Sequence, residues 1–324
     1  MRRHLGGGWL RMVLAAASVG VAAVALVAGA TAGGSASCGT VTLNEQAWAG
    51  STANTYVAKY VLEKKLGCKV ELKAIAEIPV FQAMASGQVD AVLEDWQHVK
   101  QYAQFVAKQK SVVMGGSNGV SGHIGWFIPD YLMKQYPQFK TWAGLKGKES
   151  IFKSPESGSK GMFLGGDPGY KQKDKELIEG LGLNLAFVSV GAEAAQVARW
   201  TGLVKQKKPI LLYWYTPQFL NVQYKLVEVK LPPRFKGCQD DASAGGSASQ
   251  YRCAYGFDPL NKLFSKKFAS SGSPAYTMLK KFSWTNDDQN LVATWIAADH
   301  MNADKAAEKW VKANPAKVNA WLAK

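Results

Sequence analysis

The chain has 324 residues and a formal net charge of +15, and 47% of its residues are hydrophobic. This composition is typical of a globular protein and excludes an intrinsically disordered chain. The four cysteines and four histidines show neither the Cys-x-x-Cys nor the His-x-x-x-His spacing, which argues against a cytosolic metal or redox protein.

The amino terminus has the pattern of an export signal. Arg2, Arg3 and Arg11 precede residues 12–30, which contain no charge, and small residues follow with an Ala-x-Ala type processing site at residues 30–32. We therefore predict that residues 1–37 are a cleaved signal peptide and that the mature chain has a net charge of +12. We expect the mature protein in the periplasm or at the extracellular face of the cytoplasmic membrane. An uncleaved membrane anchor and a lipoprotein modified at Cys38 are the alternatives.

Strand and helix patterns alternate through the rest of the chain. We predict strands at residues 40–44, 69–75, 89–93, 111–114, 124–128, 163–164, 185–190 and 209–213, and helices at 51–66, 79–87, 97–110, 171–180 and 192–206, with a mainly helical segment from residue 275 onward. This alternation predicts an α/β protein with largely parallel sheets. The mature length is near the limit at which one core divides into two, so we expect two lobes.

The cysteines of an exported chain predict two disulfides. Cys238 and Cys253 would close a Gly/Ser-rich surface loop, and Cys38 and Cys68 would join the starts of two adjacent parallel strands. Lipidation of Cys38 excludes the second bond and would leave Cys68 free.

Four strand ends are each followed by a large aromatic residue: Trp48, Trp96, Tyr170 and Trp214. Ligands of open α/β sheets bind beyond the carboxyl ends of the strands. Any one of these rings would more often be core, but four at matching positions indicate a binding site.

Such rings suit a sugar or a cation held by ring quadrupoles, where each contact contributes on the order of 1 kcal/mol, or about 2 when desolvated. Sugar sites need many polar side chains, yet Arg199 and Arg234 are the only arginines between the signal and the Cys238–Cys253 loop. This scarcity favours a cation.

Several short stretches occur in a characteristic order: Trp48, residues 62–71, residues 85–96 ending in Glu94-Asp95-Trp96, Gly-Trp-Phe-Ile-Pro at 125–129, Gly-Tyr at 169–170 and Tyr-Trp-Tyr-Thr-Pro at 213–217. Together they resemble the glycine betaine/choline (quaternary ammonium) substrate-binding proteins of ABC-type osmolyte importers. The resemblance runs through nearly the whole mature chain.

The resemblance implies a bilobal, type II periplasmic-binding-protein-like fold in which a two-crossing hinge joins two α/β lobes. Lobe one would comprise residues 38–122 plus 216–324 and lobe two residues 123–215, with crossings near Gly122–Gly125 and Tyr213–Thr216. The implied protein is a monomer without catalytic activity, cofactor or metal, and its partners are an ABC permease and its ATPase subunit.

The implied aromatic box takes Trp48 and Trp96 from lobe one and Tyr170 and Trp214 from the other side or the hinge. Many relatives have Trp where this chain has Tyr170, so the affinity and preference of the box are left open. Trp126 could form a fifth wall or belong to the hinge or core.

The polar end of the ligand has two candidate partners. Free backbone N–H groups of Ala49, Gly50 and Ser51, at the start of the first helix, could donate hydrogen bonds to a carboxylate, and His123 is a second candidate. Glu94 and Asp95 add negative charge near the rings. A net negative site would favour choline over zwitterionic betaines.

Three other functions remain as alternatives. A binding protein for another small solute, a sugar or amino acid, is the nearest. A secreted hydrolase would need an acid pair, for which Glu94, Asp95 and Asp167 are candidates. A nucleic-acid binder is disfavoured because the lysines are scattered in small groups.

Overall fold

The computed structural model describes residues 38–235, 237–238 and 251–323. The predicted signal peptide, its membrane-anchor alternative and most of the Gly/Ser-rich loop lie outside the described residues. None of the helices in the described part of the chain is long and apolar enough to cross a membrane.

Strands and helices alternate through the described residues. The strands are β1 (Thr40–Asn44), β2 (Lys69–Lys73), β3 (Ala91–Asp95), β4 (Val112–Pro129), β5 (Gly161–Gly165), β6 (Leu185–Ser189), β7 (Leu211–Thr216), β8 (Leu226–Val229) and β9 (Phe257–Ser265). The helices are α1 (Ala49–Leu66), α2 (Val80–Ala85), α3 (Val99–Gln101), α4 (Asp130–Gln135), α5 (Asp174–Gly180), α6 (Glu193–Lys205), α7 (Leu220–Tyr224), α8 (Lys266–Ala269), α9 (Pro274–Lys281), α10 (Asn286–Ala297), α11 (Ala303–Ala313) and α12 (Pro315–Leu322).

The strands form one mixed sheet in the order β2-β1-β3-β9-β4-β7-β5-β6, with β8 beside β4. Strand β1 is parallel to β2 and β3, and β5 is parallel to β6 and β7. The centre is antiparallel, because β9 pairs with β3 and β4, and β4 pairs with β7 and β8. The α/β class is confirmed, whereas the prediction of largely parallel pairing holds only for the two flanks of the sheet.

Strand β4 crosses from one flank of the sheet to the other. The sequence predicted two separate strands here, because the Gly/Ser-rich residues 115–122 between them resemble a loop. In the structure the first half of β4 pairs with β9 and the second half with β7 and β8. The two predicted hinge crossings are neighbours, since His123 pairs with Thr216 and Gly125 with Trp214.

Strands β8 and β9 were not predicted. Strand β8 pairs with Trp126–Pro129, the part of β4 that the sequence assigned to lobe two, although residues 216–324 were assigned to lobe one. The chain returns to the other flank only with β9, which begins at Phe257.

Helix α1 leads from β1 into the core and starts two residues before the predicted Ser51. Trp48 is its N-cap, and the Ser51 hydroxyl accepts a hydrogen bond from the Gln46 N–H at 2.9 Å. The helix ends at Gly67, whose φ of 70° is the left-handed conformation that glycine adopts without strain. The predicted helix over 97–110 is instead the short α3 followed by a π-helical segment, Tyr102–Lys108.

Both predicted disulfides are present. Cys38 and Cys68, with Cα atoms 4.8 Å apart, precede the parallel strands β1 and β2, and Cys238–Cys253 joins Cα atoms 6.3 Å apart. The Cys38 sulfur therefore forms the disulfide with Cys68, whereas the lipoprotein alternative would require that sulfur to carry the lipid.

Candidate functional site

Aromatic rings from both flanks of the sheet gather around one small cavity, which we call the aromatic pocket. Its wall consists of Trp48, Glu77, Trp96, Tyr170, Lys171, Glu193, Tyr213 and Tyr215. Three of the four predicted rings, Trp48, Trp96 and Tyr170, are thus brought together. The free space among them is about 20 Å³, little more than one water molecule needs. A larger solute can enter only if the rings move apart.

The topology explains why these rings meet. Trp48 follows β1 and Trp96 follows β3, which are parallel neighbours, so both lie at the carboxyl edge of one flank. Tyr170 follows β5 on the other flank. The rings meet edge to face, with centroids 5.7 Å apart for Trp48 and Tyr170 and 5.4 Å apart for Trp96 and Tyr215.

Glu94 orients the two tryptophans from behind the pocket wall. Its Oε1 accepts hydrogen bonds from the indole Nε1 of Trp48 at 2.8 Å and of Trp96 at 3.0 Å, while its Oε2 accepts one from Asn54 at 2.6 Å. Burial raises the pKa of Glu94 to about 7, and the two indole hydrogen bonds oppose that rise. The carboxyl group therefore positions rings and does not line the pocket.

Trp214 does not line the pocket. Neighbouring side chains of a strand point to opposite faces, so Tyr213 and Tyr215 face the pocket while Trp214 faces the other side of the sheet. There it is fully buried and packs against Trp200 with centroids 5.2 Å apart. Strand β7 therefore contributes Tyr213 and Tyr215 to the pocket, and not Trp214 as predicted.

Trp126 is also outside the pocket. It is fully buried, and its Nε1 donates a hydrogen bond to Asp174 at 2.7 Å. Its ring packs against Phe163 in the core, so the core role is the one that the structure displays.

Glu193 lies close to the amino end of α1, where the sequence analysis placed a ligand carboxylate. It begins α6, and its carboxyl group accepts hydrogen bonds from the Tyr215 hydroxyl and, at 2.9 Å, from the Gln218 amide. Burial raises the pKa of Glu193 to about 7, while hydrogen bonds from these groups and from the Ala49 backbone N–H lower it. A carboxylate of this chain is therefore already near the amino end of α1. The Gln289 side chain packs closely against Gly50, and a β-carbon at position 50 would lie 2.4 Å from its Nε2.

Glu77 is a pocket residue that the sequence analysis did not identify. It lies four positions beyond the end of β2, is 5% exposed, and its Oε2 stands 3.6 Å from His98 Nε2. His98 Nδ1 lies 2.9 Å from Asp95 Oδ1. Burial opposes the charged form of His98, but the two carboxylates outweigh it and raise the pKa of His98 to about 10. The strand-end rule, applied to β2, would have pointed to Glu77.

His123 lies away from the aromatic pocket. Its Nε2 is 2.9 Å from Glu228 Oε1, its Nδ1 is 3.1 Å from the Gly256 carbonyl oxygen, and its ring stacks on Phe257. Both ring nitrogens of His123 thus have partners within the chain. In this arrangement His123 does not make the predicted contact with a ligand carboxylate.

Each of the carboxylates proposed for a hydrolase accepts hydrogen bonds from other groups of the chain. Glu94 holds indoles, Asp95 accepts hydrogen bonds from Tyr102 and the Gln97 N–H, and Asp167 accepts one from the Gly169 N–H at 2.8 Å. Among the described residues, no group of three acidic, His or Cys side chains is placed to hold a metal ion.

The family model described as the substrate binding domain of ABC-type glycine betaine transport systems matches residues 39–313. A trimethylamine N-oxide-binding protein of Pelagibacter ubique is 23% identical over 279 residues, covering 82% of this chain and 85% of that protein.

Two solved structures share the fold. A choline-binding protein of an ABC transporter, in complex with choline, has a TM-score of 0.70 and 19% identity, covering 88% of this chain and 92% of its own. Lactococcal OpuAC, in its closed conformation with glycine betaine, has a TM-score of 0.66 and 20% identity, and the match covers 87% of this chain and 99% of its own. The expected bilobal, type II binding-protein fold is confirmed.

Proposed function

Since the chain belongs to the family of substrate-binding domains of ABC-type glycine betaine transport systems, we propose that its aromatic pocket holds the methylated ammonium group of a small solute. Members of this family bind solutes for ABC transporters and are not enzymes. Glycine betaine, choline and trimethylamine N-oxide, which the relatives bind, are the candidates.

One observation carries the proposal: Glu94 binds the N–H groups of Trp48 and Trp96, so that two electron-rich rings are held at one cavity. Tyr170, Tyr213 and Tyr215 complete the wall from the other flank. A methylated ammonium group has no N–H to donate, so ring faces rather than acceptors stabilise it. This lining suits such a cation better than a sugar or an amino acid, which needs matched hydrogen bonds.

We propose that capture proceeds by closure of two lobes. Trp48 and Trp96 belong to lobe one, and Tyr170 and Tyr213 to lobe two. The rings must part to admit a solute, and a bound solute would then favour the closed arrangement because it contacts both sides. Because β8 pairs with the lobe-two half of β4, we place residues 226–229 in lobe two.

We also propose that the protein is exported after cleavage of residues 1–37. The closed, loaded form then docks on a membrane permease driven by an ATPase subunit and releases its solute there. The disulfides Cys38–Cys68 and Cys238–Cys253 fit an oxidising compartment outside the cytoplasm.

Calorimetric titration of residues 38–324 tests the pocket with choline, glycine betaine, trimethylamine N-oxide and glucose. One of the methylated compounds should bind, and Trp96→Ala should weaken its binding roughly 5- to 30-fold, the equivalent of about 1–2 kcal/mol.

Trp214→Phe is the matched control, because Trp214 packs on the opposite face of the same sheet and should leave the affinity nearly unchanged. Failure of all three methylated compounds to bind, or equal losses in both variants, would contradict the proposal.

A further inference from the structure

The polar part of the aromatic pocket is acidic. Glu77 and Glu193 line the wall, and Glu94 lies directly behind it. Two cationic side chains are already paired: Lys171, which also lines the wall, with Asp258 at 2.5 Å, and His98 with Asp95 and Glu77. A solute carboxylate would therefore lie beside acidic side chains, and it would have to compete with Asp258 for Lys171.

Several hydrogen-bond donors around the pocket are engaged by carboxylates of the protein itself. The indoles of Trp48 and Trp96 donate to Glu94. The Tyr215 hydroxyl and the Gln218 amide donate to Glu193, which also draws on the Ala49 N–H at the start of α1. Releasing any of them to a solute would leave a buried carboxylate of the protein without its partner.

Glu77 differs from the other two carboxylates. It is 95% buried, yet its Oε2 accepts no hydrogen bond from the described residues and has only the His98 ring 3.6 Å away. A buried oxygen without a hydrogen bond is costly, and a solute group that bonds to it would remove that cost. Glu77, which lines the pocket wall, is thus a polar contact that the wall can offer to a solute.

We propose that the pocket selects a methylated ammonium solute whose polar end is one small oxygen group, a hydroxyl or an N-oxide, and that Glu77 excludes solutes ending in a carboxylate. This inference rests on the proposed function. A hydroxyl would donate to the Glu77 carboxylate. An N-oxide oxygen is bonded directly to the nitrogen, whose positive charge offsets its own, so Glu77 repels it less than it repels the carboxylate of a betaine.

Titration calorimetry with four probes tests the selection: tetramethylammonium, choline, trimethylamine N-oxide and glycine betaine. Tetramethylammonium has no polar end and reports on the rings alone. We expect choline or trimethylamine N-oxide to bind at least about tenfold more tightly than glycine betaine. Which of these two binds more tightly then distinguishes the hydroxyl from the N-oxide.

Glu77→Gln keeps the size of the side chain and removes its charge. The ratio of the dissociation constants of glycine betaine and tetramethylammonium should fall about tenfold in this variant, because both share the ammonium group and only glycine betaine carries the repelled carboxylate. The control Glu71→Gln, at an exposed position of β2, should leave the ratio unchanged within about twofold.

Tighter binding of glycine betaine than of choline and trimethylamine N-oxide by the native protein would overturn this inference while leaving the ring site intact. An unchanged ratio in a folded Glu77→Gln variant would also overturn it. If none of the four probes binds, the proposed function itself fails, and the inference fails with it.

Discussion

At the scale of single residues, the pocket depends on a carboxyl group that does not touch the cavity. Glu94 is 1% exposed and accepts hydrogen bonds from Trp48, Trp96 and Asn54. These bonds restrict the rotation of both indoles, so the ring faces are in place before a solute arrives. Such preorganisation increases affinity because less side-chain freedom is lost on binding.

The raised pKa of Glu94 predicts a dependence of stability on pH. Burial raises this pKa to about 7 from the ordinary value of 4.5, so the folded state holds the proton more tightly than the unfolded state. The associated stability is fully present below pH 4.5 and is lost as the pH rises towards 7. Relative to Glu94→Gln, the native protein should lose up to about 3 kcal/mol between pH 4.5 and 7.5.

Denaturant unfolding at these two pH values checks this prediction. Glu179→Gln, an exposed substitution on α5, is the control and should follow the native protein. Parallel pH profiles for the native protein and Glu94→Gln would contradict the raised pKa of Glu94.

At the scale of elements, strand β4 shapes the pocket through a glycine, Gly122, which has no side chain where the strand passes the Trp96 ring. A β-carbon at Gly122 would lie 2.5 Å from Cζ3 and 2.6 Å from Cη2 of the Trp96 ring. The ring therefore rests directly on the β4 backbone, at the place where this strand crosses between the flanks of the sheet. The glycine lets the crossing strand and the tryptophan approach closely.

We predict that Gly122→Ala displaces the Trp96 ring. Overpacking of this kind costs about 1–3 kcal/mol of stability, and the affinity for tetramethylammonium should fall as well. Thermal unfolding and titration calorimetry measure the two effects.

Gly202→Ala is the matched control for this substitution. Gly202 lies within α6 with nothing inside 4 Å of the added carbon, so alanine should stabilise the protein by about 0.5–1 kcal/mol and leave binding unchanged. Destabilisation by both substitutions alike would contradict the packing argument.

At the scale of the whole molecule, the pocket joins two halves that are far apart in the chain. Trp48 meets Tyr170, and Trp96 meets Tyr215, across the sheet. The chain passes between the halves through the paired strands β4 and β7, where His123 lies opposite Thr216. A bend shared by two paired strands would move the rings of one half relative to those of the other.

We predict that a bound solute reduces the radius of gyration, because it stabilises the closed arrangement of the lobes. Small-angle X-ray scattering of residues 38–324 with and without saturating choline or glycine betaine measures the change. Trp96→Ala at the same concentrations should show a smaller decrease. Identical scattering of the native protein in every condition would rule out closure of this kind.

Local sequence patterns were sufficient where the information is local. Alternating apolar residues defined β1, Gly67 ended α1, and Trp48, Trp96 and Tyr170 were recognised because each lies within a few residues of the end of a strand. The middle of β4 was missed because of its Gly, Ser and Asn residues, and β9 because of Asp258, Pro259 and Asn261, since all of these favour turns; pairing with neighbouring strands makes both segments extended.

The sequence by itself predicted the α/β class, the Cys238–Cys253 disulfide, the family and three of the pocket rings, because these follow from residue type and from order along the chain. It left the Cys38–Cys68 bond open against lipidation of Cys38, and the structure contains the bond. Only the tertiary structure decided that Tyr213 and Tyr215 replace Trp214, since a shift of one residue along a strand reverses the face on which a side chain lies. Only the tertiary structure, likewise, brought Glu77 and Glu193 to the same cavity. They follow different strands and are more than a hundred residues apart, so their meeting depends on how the flanks of the sheet are joined, which no local pattern encodes.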